Sequence, residues 1–333
     1  MHLACETLDD VLLKLYPLLL AAPLASGATR GANREILGTS IHIKQPRARL
    51  SRTETRGKPF SALGELLWYL SKDNKLAFVE PFIPAYRRES EDRITVYGGY
   101  GPRLFKQRGH DQIANVLAKL RDKPATRKAV VQLFNAEDLS EAHNEIPCTT
   151  TLQFFLRDQR LEMIVTMRSN DAYKGLPHDV FCFTMLQEIL ARSLGCDIAS
   201  YRHFAGSMHL YEDAGEGEND RTAATRFVEE GFQSQIEMPA MPLGDPWSSI
   251  EKTLRALEKI REGESIAHSD FDVDPYWADL IRMLKIFFAK GNDQEIRNLQ
   301  QQMSSPCYKH YIDSRIQMQT RESGPGRKSE PPA

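Results

Sequence analysis

Apolar positions along the chain recur with two periods, which separate the winding segments from the extended ones. In FSALGELLWYL (60–70), Phe60, Leu63, Leu66, Leu67 and Leu70 share one helical face. Glu65 stands inside that apolar setting. HDQIANVLAKLRD (110–122) repeats the helical spacing at Ile113, Val116, Leu117 and Leu120 and stops before Pro124. KAVVQLF (128–134) reads as a strand, and TTLQFFL and RLEMIVTM flank Arg157-Asp158-Gln159 as a hairpin. HDVFCFTMLQEILARSLG is the clearest helix: Pro177 lies near its start, Gly195 can cap its end, and Val180, Phe183, Leu186, Leu190 and Leu194 form the buried stripe. Beyond about residue 245 the pattern turns helical, in WSSIEKTLRALEKIRE, YWADLIRMLKIFFAKG and DQEIRNLQQQM. Strands and helices mixed without βαβ regularity predict an α+β fold.

Composition narrows the function classes. A chain of 333 residues, 41% of them hydrophobic, can bury a large core. Its 43 basic and 45 acidic residues nearly cancel, which argues against a basic nucleic-acid-binding surface. The apolar run VLLKLYPLLLAAPLASGA (11–28) is interrupted by Lys14, Pro17 and Pro23 and reads as an amphipathic helix followed by a loop, not a membrane span. The acidic start before it (Glu6, Asp9, Asp10) is unlike a signal peptide, so the expected location is cytoplasmic. Five scattered cysteines without a CxxC pair argue against a disulfide framework and a zinc site, and no metal is expected. The final ESGPGRKSEPPA is expected to be disordered.

The densest chemistry lies in RSNDAYKGLPHD (168–179), where Arg168, Ser169 and Asp171 crowd ahead of Gly175-Leu176-Pro177 and Asp179 follows His178. Neither a core strand nor an ordinary turn needs so many anion-binding and acidic groups. Upstream, Cys148 follows Pro147 at a strand entrance. A lone cysteine is most often a small buried hydrophobe, but one near several arginines is expected to have a stabilised, nucleophilic thiolate.

Taken in order, GELLWYLSKDN (64–74), HDQIANVLAKLRDKPATRKAVVQLFN (110–135), the IPC motif with its hairpin, RSNDAYKGLPHD with its helix, and HFAGSMHLY resemble the thymidylate synthase family. The likeness runs from roughly residue 30 to 215. It implies a mixed sheet with packed helices: a catalytic domain over 1–245, a helical extension packed on it over 246–320, and a tail over 321–333.

It also implies roles. Cys148 would add to C6 of a pyrimidine nucleoside monophosphate, and C5 would attack a one-carbon unit from methylenetetrahydrofolate. Arg168 and Ser169 would hold the phosphate, helped by Arg34, while Arg127 and Lys128 would reach across a homodimer to the partner's phosphate. Lys128 keeps the charge of the family's arginine but loses the bidentate fork. Asp171, with Gly175 beside it, would serve the folate; His209 and Tyr211 would bind a sugar hydroxyl. Glu65, its pKa raised by burial, would organise water and protons near C5, and Tyr97 matches an active-site tyrosine.

The departures from the family pattern set the substrate. Where the family has an asparagine that reads uracil, this chain has Asp179. A carboxyl group can accept from cytosine's N4 amine and, when protonated, donate to N3. Ile83 or Pro84 stands where a tryptophan shields the new one-carbon group from water, so attack by water and a hydroxymethyl product are expected. Thr149 replaces the usual histidine, and helices replace the short folate-closing tail. These features resemble the cytidylate (CMP or dCMP) 5-hydroxymethylase branch, with CMP favoured, as in nucleoside-antibiotic biosynthesis, and Ala172 leaving room for a 2′-hydroxyl. The alternatives are dCMP, a thymidylate synthase acting on dUMP, and a non-catalytic nucleotide-binding paralogue.

Overall fold

The computed structural model describes residues 1–25, 31–51, 59–212, 219–231, 236–266 and 268–316. Its strands are β1 (His2–Cys5), β2 (Leu24–Ala25), β3 (Asn33–Ile43), β4 (Val130–Gln132), β5 (Thr149–Arg157), β6 (Arg160–Asp171) and β7 (Asp197–Tyr211). They form a mixed sheet in the order β1-β3-β7-β6-β5-β4, with β2 also on β3. The helices are α1 (Leu8–Ala21), α2 (Pro59–Leu70), the short α3 (Leu76–Val79), α4 (Tyr86–Glu89) and α5 (Tyr100–Phe105), then α6 (Gln112–Asp122), α7 (Gly175–Ser193) and α8 (Asp220–Glu229). Four more follow: α9 (Trp247–Arg261), α10 (Pro275–Phe288), α11 (Asp293–Gln301) and α12 (Lys309–Ile316). The fold is α+β, as the sequence predicts.

The β5–β6 hairpin closes on Asp158 and Gln159, both in the left-handed region at φ 48° and 55°, the geometry of a two-residue type I′ turn. Helix α7 ends where Gly195, at φ 70°, turns the chain out and Cys196 N–H donates back to the Ala191 carbonyl. Pro17 does not break α1: it sits on the exposed side of a helix fixed at its start by a Thr7–Asp10 capping box. The loop expected after that helix contains the short β2.

Burial alternates along β6 from Arg160 to Arg168, then changes phase, with Ser169 half-buried and Asn170 buried. Leu161, Met163, Val165 and Met167 face α7 and are buried, while Glu162, Ile164, Thr166 and Arg168 face away. The main core takes in residues on both sides of position 245. Phe287 of α10 stacks on Phe82 at 4.8 Å, and Tyr276 packs its hydroxyl on Met185 of α7. The helices after residue 245 therefore brace α2, α7 and the segment around Phe82. The expected tail at 321–333 lies outside the described residues. No helix among the described residues is long and apolar enough to cross a membrane.

Candidate active site

Strand register assembles one wall of a cavity of about 970 Å³. The parallel β6–β7 pairing sets Ser169 beside Ser207 and Asp171 beside His209, and the antiparallel β3–β7 pairing adds Glu35 next to His209. The Arg168 N–H donates to the Cys148 carbonyl at 2.8 Å, so the cysteine enters β5 against the same strand. Helices α2 and α7 supply the opposite side with Glu65 and Asp179. Arg168, Ser169, Asp171, Gly175, His209, Tyr211 and Cys148 line the same space, although sixty residues separate some of them along the chain.

The cavity floor is a low-dielectric pocket of acids and phenols. Glu65 Oε1 accepts from Tyr69 at 2.9 Å and from Tyr86 at 2.6 Å. Burial pushes the Glu65 carboxyl above its ordinary value, while the two hydroxyls pull the other way. Asp179 keeps some surface towards the cavity but is enclosed by protein, and that enclosure, then the charge of Glu65, raises its pKa well above 3.8. Its Oδ2 accepts from Asn170 Nδ2 at 2.7 Å. Gly175 eases this packing, because a Cβ there would press on Asn170 Nδ2 at 3.0 Å.

The mouth is polar. Arg168 donates to the carbonyls of Pro147 and Ile146, both at 3.0 Å, and to Glu145 Oε1 at 3.3 Å. Ser169 Oγ and Ser207 Oγ lie 3.4 and 3.5 Å from His209 Nδ1. Asp171 Oδ1 accepts from the backbone N–H of Tyr173 and of Lys174, each at 2.8 Å, which fixes its carboxylate in the wall.

Three expectations need correction. The Cys148 thiol is not acidified: burial, then Glu145, pushes its pKa up to about 12, and Arg168 offsets this only in part. Its Sγ donates to Glu145 Oε1 at 3.5 Å. Tyr97 stands one layer behind the cavity, its hydroxyl held by Asp138 at 3.0 Å and its ring stacked on His143. Tyr100, three residues on, lines the cavity instead, donating to Thr149 Oγ1 at 2.9 Å and accepting from the Thr149 N–H at 3.1 Å. Arg34 is held by Glu212 and by the Ala22 carbonyl and faces a separate pocket of about 640 Å³.

Arg127 and Lys128 are exposed and do not line the cavity of their own chain. Ile83 and Pro84 do line it, next to Tyr86. Sequence reasoning passed over Tyr69, Tyr86, Tyr100, Asn170 and Glu145. Only Asn170, inside the dense motif, and Glu145, three residues before Cys148, carried a local signal. Among the described residues, no group of three or more His, Cys, Asp or Glu is placed to hold a metal ion.

The family model described as Thymidylate synthase matches residues 25–243. A "Deoxyuridylate hydroxymethyltransferase" of Pseudomonas phage M6 is 32% identical over 178 residues, which is 53% of this chain and 51% of that protein. Another protein of that description, from Bacillus phage SP01, is 29% identical over 218 residues, 60% of this chain and 57% of the relative. The chain thus spans about half the length of these relatives.

Proposed function

The chain belongs to the thymidylate synthase family, and from that premise we propose that it 5-hydroxymethylates a cytidine monophosphate, CMP in preference to dCMP, using methylenetetrahydrofolate. The observation that carries this reading is Asp179 on the cavity floor, enclosed and with a raised pKa. A protonated carboxyl offers one donor and one acceptor, the complement of cytosine N3 and its N4 amine. Uracil presents the reverse pattern, N3–H and O4, and would leave buried groups unsatisfied.

The other side chains fit the same chemistry. Cys148 adds to C6, and the Asp179 proton at N3 offsets the charge that develops on the ring. Glu65, with Tyr69 and Tyr86, holds protons near C5. Methylenetetrahydrofolate supplies the one-carbon unit, and a cavity of about 970 Å³ with Asp171 fixed in its wall suits a nucleotide together with a pterin. Ile83 and Pro84 put no indole over the new group, which leaves it open to water.

Arg168 and Ser169 bind the phosphate, and His209 and Tyr211 the sugar. Arg127 and Lys128 act across a two-fold homodimer. The sheet face turned away from α7 supports that assembly, since Phe204, paired with Thr166, is 40% exposed there. Residues 246–316 form an extension that braces the site.

The names of the phage relatives favour a second reading, in which the base is uracil and the product 5-hydroxymethyl-dUMP. The test is incubation with methylenetetrahydrofolate and CMP, dCMP or dUMP, with products identified by mass. Hydroxymethylated CMP as the main product is expected. Product from dUMP alone would replace the cytidine reading with the second one, and a methyl product would replace hydroxymethylation.

A further inference from the structure

We propose that Glu145 is the base that takes the proton from the Cys148 thiol as the sulfur adds to the pyrimidine, a role that rests on the nucleotide chemistry proposed above. The sulfur already donates to Glu145 Oε1 at 3.5 Å, so the proton has an acceptor before substrate arrives. Thiolates, not thiols, are the nucleophiles. Burial pushes this thiol to about 12, which makes a pre-formed thiolate scarce near neutrality and a local acceptor necessary.

The remaining candidates around the sulfur are engaged differently. Asp179 is shifted upward by its enclosure, and its Oδ2 is already held by Asn170. Glu65 Oε1 is held by two tyrosines, and the Tyr100 hydroxyl donates to Thr149. Glu145 is the carboxylate that the sulfur touches among the described residues.

The step balances. The thiol proton moves from Sγ to Glu145 Oε1, a sulfur electron pair forms the bond to C6, and the C5–C6 π pair moves into the ring towards N3. When the sulfur leaves, Glu145 returns the proton. Arg168 Nη2 also binds Oε1, at 3.3 Å.

Two readouts on Glu145→Gln separate a base from a merely repulsive charge. Without folate, reversible addition of Cys148 releases tritium from C5 of labelled CMP into water. This release should fall about 10²-fold or more in the variant. Alkylation of Cys148 by iodoacetamide, which reports the thiolate, should hold or rise, because a neighbouring negative charge is gone. Acetate should restore part of the tritium release in Glu145→Ala. Tritium release that is unchanged, or that moves together with alkylation, would overturn the role of Glu145, as would absence of acetate rescue with CMP binding intact. If wild-type protein releases tritium only from labelled dUMP, the cytidine reading fails, and the same two variants test Glu145 with that nucleotide.

Discussion

Helix α7 carries two enclosed carboxyl groups, Asp179 near its start and Glu188 two and a half turns on, and their surroundings shift them in opposite directions. Burial raises both. At Asp179 no cation among the described residues answers it; the nearby charge of Glu65 adds to the rise, and the Asn170 hydrogen bond offsets part of it. At Glu188, Arg49 and Arg47 outweigh burial, helped by the Met241 N–H at 3.0 Å, and hold the carboxylate below its ordinary value. Arg49 is itself buried, and its Nε and Nη1 have no hydrogen-bond partner among the described residues, so Glu188 is what compensates its charge. Depth alone therefore decides neither state. The partners leave one end of the helix with a carboxyl shifted upward beside a cavity and make the other an ionic clasp.

Breaking the clasp should have the largest effect on stability. Glu188→Ala leaves Arg47 and Arg49 without their shared carboxylate and should cost about 3–5 kcal/mol, read by urea unfolding. A loss below about 1 kcal/mol would show that the cluster is not the anchor of α7.

Neutral isosteres sharpen the contrast. Glu188→Gln keeps shape but removes charge, and should lose about 1.5–3 kcal/mol. Asp179→Asn, at a carboxyl whose pKa is shifted upward, should change stability by less than about 1 kcal/mol. Equal losses in the two variants would mean that the two carboxyls share one charge state.

The smallest effect is in the pH dependence of melting, and its sign differs at the two ends. The folded pKa of Asp179 is raised, so its contribution is complete below the unfolded value near 3.8 and is lost as pH rises through the folded value. Asp179→Asn should therefore gain on wild type as pH increases. The folded pKa of Glu188 is lowered, so its contribution is present above about 4.5 and is lost as pH falls through the folded value. Glu188→Gln should approach wild type in acid. Parallel melting curves across the range would contradict both assignments.

What the sequence disclosed follows the same division between local and distant causes. Period and turn chemistry lay within a few residues, so α7, its Gly195 terminus and the β5–β6 hairpin were legible. The motif order placed Cys148, Glu65, Arg168, Asp171 and Asp179 in one cavity. Glu188 carries no local signal because its arginines stand about 140 residues earlier in the chain. Tyr86 lies on a four-residue helix without periodicity, 21 residues from the carboxylate it bonds. Motif matching chose Tyr97, but the chain turns at Gly99 into α5 and brings Tyr100 to the wall instead. The acidity of Cys148 is not legible in sequence, because nearby arginines are visible there and burial is not.

The claim that a protonated Asp179 selects the base is tested most directly by one ratio: kcat/KM for CMP over that for UMP and dUMP, in wild type and in Asp179→Asn. The asparagine cannot donate a transferable proton to cytosine N3 but complements uracil N3–H and O4. Two mismatched groups at roughly 1–3 kcal/mol each should move the ratio by on the order of 10²-fold towards uracil. Wild-type turnover of CMP should also fall as pH rises past the raised pKa of Asp179, and that fall should be absent from the variant. A ratio unchanged by Asp179→Asn would contradict the account and place base selection elsewhere in the cavity.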